Sequence, residues 1–114
     1  MQKISEELLA QARSGDETAN AAVIAHMMPA IQKGASLYQA PGLDREDIVQ
    51  EGLIGLFSAV RSYRPAAGVP FAAFAAACIR NAQQDACKTA LRKKHAPLNF
   101  SVPLPDVDGT DTRP

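Results

Sequence analysis

A chain of 114 residues has room for one domain and a short tail. At 46% hydrophobic and 21% charged it can bury a core, and its composition of many alanines, few aromatics and no tryptophan suits close-packed helices rather than a sheet. The formal net charge of zero hides an asymmetry, because residues 44–51 sum to −3 and residues 61–94 to +6, so the overall balance does not exclude a nucleic-acid partner.

The N-terminus, MQKISEELLAQARSGDE, is polar and acidic where a signal peptide is basic and then apolar. No apolar run reaches the roughly 20 residues that cross a bilayer, so a cytoplasmic protein without a membrane partner is expected. Ser5 predicts a helix cap, and Glu6 and Glu7 complement the dipole of the first turn. This helix carries Leu8, Leu9 and Ala12 and stops at Gly15. Asp16 caps a second helix with Val23, Ile24, Met27 and Met28. Pro29 is expected to kink it or restart it before the pattern resumes through Ile31, Ala35, Leu37 and Tyr38. Pro41-Gly42 is a firm break.

Asp44 caps the third helix, with Asp47 placed three residues later in the manner of a capping box. The spacing of Val49, Leu53, Leu56, Phe57 and Val60 predicts one apolar core stripe that ends near Tyr63. The opposite side carries Asp47, Gln50, Glu51, Ile54, Ser58 and Arg61, a polar group interrupted by one large apolar residue. Gly52 and Gly55 each cost about 1 kcal/mol against alanine inside a helix. They share a flank, which predicts close approach of another helix. Residues 64–70 form a loop.

A fourth helix is predicted from about Phe71 to Lys94, with Phe71, Phe74, Ala75, Cys78, Ala82 and Ala86 as its packing side. Arg80, Gln84, Lys88 and Arg92 recur every fourth residue, with Asn81 beside them, and make a ridge of long basic and amide side chains. Such side chains reach phosphates and base edges together. Tyr63, Phe71 and Phe74 flank the preceding loop, where one exposed ring would stack on an unpaired base. Cys78 and Cys87 lie nine residues apart, on opposite sides of one helix, and cannot bridge within it. With no CxxC and with His26 and His95 standing alone, no four-ligand zinc site is expected. The thiols are expected to be buried and reduced.

Pro97 ends the fourth helix, leaving residues 1–98 as the domain and residues 99–114 as a flexible tail or truncated linker. Asp106-Val107-Asp108-Gly109-Thr110 imitates the nucleophile motif of aspartate-dependent phosphatases. It lacks the preceding buried strand, and the stretch also lacks the later glutamate of a calcium loop. Asn99-Phe100-Ser101 fits a glycosylation sequon, but without a secretion signal it carries no meaning. No catalytic constellation, cofactor motif or metal site emerges, and the expected protein is an all-α, compact bundle of about four to five helices that is not an enzyme.

The run from Asp44 to Leu56, DREDIVQEGLIGL, resembles conserved region 2 of bacterial RNA polymerase sigma factors of the sigma-70 family. AQARSGDE from Ala10 to Glu17 and KTALRKKHAPLN from Lys88 to Asn99 resemble its flanks, and the likeness is nearest to the sigma-H-like stationary-phase and sporulation branch. The resemblance implies the all-α region 2 fold and binding of the third helix to the coiled coil of the β′ clamp of core polymerase. By match the contacts are Asp47, Gln50, Glu51 and Ile54, with Leu53 and Phe57 as candidate additions. It also implies recognition and melting of the promoter −10 element, held as single-stranded non-template DNA. Tyr63 and Phe74 match a flipped-base pocket; Arg80, Asn81 and Gln84 match the upstream edge, with Lys88 and Arg92 beyond them. An anti-sigma factor is a further candidate partner.

The chain departs from the family pattern in four places. Val69, Ala77 and Cys78 stand where primary sigma factors carry aromatics, which implies weaker or more promoter-selective melting. Gln83 stands where relatives often carry an aliphatic residue, and either loosens the core or adds a contact. Nothing corresponds to the C-terminal domain that reads the −35 element, so the chain is either one domain of a longer protein or a natural product that stops at the linker. The alternative to an initiation factor is a polymerase-binding regulator that occupies the sigma site without initiating.

Overall fold

A computed structural model of the protein describes residues 4–95, with side chains described for residues 4–93. The expected tail, the Asp106–Asp111 stretch, the sequon and the side chains of Lys94 and His95 lie outside the described residues. Four helices follow one another: α1 (Glu6–Arg13), α2 (Glu17–Leu37), α3 (Arg45–Ser62) and α4 (Phe71–His95), with a 3-10 turn at Pro65–Ala67 before α4. There is no strand among the described residues beyond one isolated bridge, Ala40 to Leu43. The bridge closes the Pro41-Gly42 turn, whose Gly42 takes φ 83°, a left-handed value that favours glycine. None of these helices is long and apolar enough to cross a membrane.

Local chemistry starts each of the first three helices. Ser5 Oγ accepts from the Leu8 amide at 3.0 Å, and Asp16 Oδ1 accepts from Thr18 and Ala19. At α3 both halves of a capping box are present. The Asp47 amide donates to Asp44 Oδ1 at 2.9 Å, and the Asp44 amide donates to Asp47 Oδ2 at 3.0 Å. The shorter aspartate therefore serves where glutamate is usual. Pro29 neither stops nor divides α2, which runs unbroken from Glu17 to Leu37. Pro29 and Ala25, whose carbonyl the proline leaves without an amide donor, are both exposed, so the lost bond lies on the solvent side of the helix.

The core joins all four helices through Leu9, Val23, Met27, Ile31, Leu56, Val60, Phe71 and Ile79, among others. Two expected stripes are corrected here. On α3 the buried residues are Ile48, Gly52, Gly55, Leu56, Ala59 and Val60, whereas Val49 and Leu53 are half-buried and Phe57 is exposed. The inward side is set by its small residues: a methyl group on Gly55 would lie 2.6 Å from the Cys78 carbonyl oxygen. Close backbone approach to α4 requires that flank, and it rotates the most apolar side chains partly outward. On α4 the buried line is Phe71, Ala75, Ile79, Gln83 and Cys87, at every fourth residue, while Phe74, Cys78, Ala82 and Ala86 are half-buried. Such a line is the ridge that helices pack into each other's grooves.

Gln83 is the polar member of that line, 1% exposed. Its amide nitrogen donates to the carbonyls of Ile31 (3.0 Å) on α2 and Ile48 (3.1 Å) on α3, and its amide oxygen has no partner among the described residues. It therefore adds contacts across three helices rather than loosening the core. Room for it comes from Gly34 and Gly52, where any side chain would meet the amide.

Candidate functional site

The outer face of α3 follows from the way its glycine side is used. With Gly52 and Gly55 turned inward, Asp47, Gln50, Ile54, Phe57, Ser58 and Arg61 are exposed, and Glu51 and Leu53 are half-buried. Ile54 is 56% and Phe57 39% exposed. Three residues apart on a helix, they are neighbours. Phe57 thus leaves its predicted place in the core and joins Ile54 in an apolar patch edged by Asp47, Gln50 and Glu51. The capping box holds Asp47 in a defined position at one end of this patch. An apolar pair among acidic and amide groups is suited to a protein surface that offers both apolar and basic side chains.

The second surface is the outward side of α4. Arg80, Asn81, Lys88 and Arg92 are exposed, and Arg92 also donates to Thr89 Oγ1 at 3.3 Å. Gln84 is half-buried, and its amide nitrogen donates at 3.1 Å to the hydroxyl of Tyr38, the C-cap of α2. The ridge runs parallel to the buried Ile79–Gln83–Cys87 line, one residue on, so packing of the core holds its direction. Seven-residue spacing brings Phe74, Asn81 and Lys88 nearly onto one line, and joins the aromatic corner to the polar ridge.

At that corner Tyr63 meets Phe71 edge-on, with ring centres 5.3 Å apart, and Phe74 at a tilt, 5.6 Å apart. Phe71 is only 4% exposed, so the expectation that its ring touches DNA is corrected: it belongs to the core and props Tyr63. Tyr63 and Phe74 are half-buried. The Tyr63 hydroxyl donates to the Val69 carbonyl and ties the loop before α4 to the end of α3. Arg13 of α1 holds the same place from the other side. Its Nε donates to the Val60 carbonyl and its terminal nitrogen to the Tyr63 carbonyl, both at 2.7 Å. Partly open rings beside a cationic ridge provide stacking and phosphate attraction together, the combination that unpaired nucleic acid needs.

Tyr38 and Arg13 escaped the sequence reading. Neither has a local signal, since each acts on a residue from another helix. The thiols of Cys78 and Cys87 are free, and burial pushes both above the ordinary thiol range, which keeps them as neutral packing groups. The outer face of α3 and the ridge of α4 share no side chain, and Glu51, at the edge of the former, lines the groove between the two helices with Ala82, Asp85 and Ala86.

Residues 23–94 match the family described as Sigma-70 region 2. The chain is 40% identical over 99 residues to the RNA polymerase sigma-H factor of Bacillus licheniformis, covering 87% of this chain and 44% of that protein. It is 39% identical over 99 residues to the sigma-H factor of Bacillus subtilis (strain 168), covering 87% and 45%. With the sigma-K factor of the same organism the identity is 35% over 75 residues, covering 66% and 24%. The chain thus spans less than half the length of these relatives. No solved structure matches it.

Proposed function

The chain belongs to the sigma-70 family through its region 2, and from this premise we propose that it serves transcription initiation by joining core RNA polymerase to promoter −10 DNA. The outer face of α3 docks on the coiled coil of the β′ clamp, with Ile54 and Phe57 as the apolar contacts and Asp47, Gln50 and Glu51 around them. The outward side of α4 takes the non-template strand of the −10 element. Tyr63 and Phe74 stack an unpaired base, Arg80, Asn81 and Gln84 meet the upstream edge, and Lys88 and Arg92 attract phosphates. No group in the chain performs covalent chemistry in this reading. Strand separation is driven by binding one strand better than the duplex.

The observation that carries the proposal is a pair of unlike surfaces, one on α3 and one on α4, that share no side chain. One is apolar and acidic, with Ile54 56% exposed. The other is basic and aromatic, built from exposed Arg80, Asn81, Lys88 and Arg92 beside Tyr63 and Phe74. A factor that bridges a protein and a nucleic acid must keep both surfaces open at once.

A second reading rests on residues 69, 77 and 78, where valine, alanine and cysteine replace the aromatics of primary sigma factors. A chain with so few stacking groups would occupy the sigma site without opening DNA. Run-off transcription with purified core polymerase separates the two. Discrete start sites on −10-containing templates support initiation, whereas inhibition alone, without new starts, supports a regulator that occupies the site.

A further inference from the structure

We propose that Tyr38, at the end of α2, is a positioning residue for base recognition: its hydroxyl fixes the amide of Gln84 and thereby sets what Gln84 presents to DNA. The inference rests on the proposed reading of −10 DNA by α4 and adds to it a residue from outside α4.

The Gln84 amide nitrogen donates to the Tyr38 hydroxyl at 3.1 Å, across 46 residues of sequence. Tyr38 is a firm anchor for such a bond. It is the C-cap of α2, its own amide donates to the Gly34 carbonyl at 2.9 Å, and its ring packs beside the buried cluster of Ala35, Ile48 and Cys87. Gln84 is an amide among cations on the ridge, and an amide is the side chain that reads base edges rather than charge. A free glutamine rotates its terminal amide and can offer donor or acceptor to any base. With one N–H bound to an anchored hydroxyl, the rotation of the amide is restricted, and the carbonyl and the remaining N–H are offered over a narrower range of directions. The α2–α4 groove at this place is also open and cationic: Lys33 and Arg80 line it, and Leu37 beside them is 63% exposed. Tyr38 lines this groove and Gln84 is only half-buried, which leaves the pair accessible to a nucleic-acid strand on the ridge.

The test uses the full chain bound to core polymerase and four fork-junction probes that differ only in the base pair at the upstream edge of the −10 element. One base position ordinarily carries a preference of roughly fivefold or more. The wild-type chain should show such a preference. Tyr38→Phe, which keeps the ring and removes only the hydroxyl, should bring the four affinities towards parity with melting temperature and polymerase affinity unchanged. Gln84→Ala should flatten the preference equally, and Tyr38→Phe should add nothing in that background. A Tyr38→Phe chain that keeps its full preference overturns the positioning role while DNA reading stands. So does an effect of Tyr38→Phe that persists undiminished in Gln84→Ala, or a Gln84→Ala chain with its preference intact. A wild-type chain indifferent to all four probes overturns the reading of DNA by α4, and the inference with it.

Discussion

The amide of Gln83 fills the space that a side chain on Gly34 would occupy. A methyl group at Gly34 would overlap the amide oxygen, and one at Gly52 would come within 2.8 Å of the amide nitrogen. One buried polar group on α4 is thus matched by a missing side chain on each of α2 and α3, and the three helices close around it.

This lock predicts a non-additive pattern of stabilities. Gln83→Ala should cost about 2–4 kcal/mol, from the cavity and two lost hydrogen bonds. Gln83→Met should cost clearly less, about 2 kcal/mol at most, because it loses the same two hydrogen bonds but preserves volume and removes an amide oxygen that has no partner. Gly34→Ala should destabilise by about 1–3 kcal/mol through overpacking, and much less in the Gln83→Ala background. Urea midpoints of the single and double variants check the cycle.

Arg13 should matter more than its exposure suggests. Arg13→Ala removes two short charge-assisted hydrogen bonds to the end of α3 and should cost about 1–2 kcal/mol. Arg13→Lys should recover less than half of this, since an ammonium cannot span both the Val60 and Tyr63 carbonyls as a planar fork does. Thermal unfolding of the two variants decides it.

Polymerase association should depend on the exposed apolar pair of α3. Ile54→Glu and Glu51→Lys should each weaken binding to core enzyme by about 2 kcal/mol, roughly thirtyfold. Unfolding midpoints should hardly move, because neither residue belongs to the buried line of α3. Unchanged affinity in both variants would place the polymerase contact elsewhere.

DNA binding by the chain alone should be weak and strongly salt-dependent, with single strands of −10-like sequence preferred over duplex. Three or four phosphate contacts on a single strand imply a log–log salt slope of about −2 to −3. Replacing both Lys88 and Arg92 with alanine should flatten the slope and weaken all sequences alike. Equal binding of duplex and single strand without salt dependence would reduce the ridge to a solvated face.

What the residues determined by themselves is local. Ser5, Asp16 and Asp44 start their helices because a side-chain oxygen reaches an amide two or three residues ahead, and Pro41-Gly42 turns because proline presets one dihedral and glycine tolerates the next. The Arg80–Arg92 ridge was legible for the same reason, since residues four apart on one helix are neighbours in any fold. The resemblance to sigma factors was legible because its residues are contiguous. The rotation of α3 was not: apolar periodicity favoured the side with Phe57, but close packing favoured the side with Gly52 and Gly55, and a glycine contributes to packing by what it lacks. Nor could periodicity place Gln83 in the core or Phe71 beneath Tyr63. Tertiary structure decided these, together with Arg13 on Tyr63 and Tyr38 on Gln84, because each joins groups 46 to 52 residues apart or depends on which helices meet. A hydrogen bond across that separation forms only after packing has brought the helices together, and so it leaves no trace in the pattern of either segment alone.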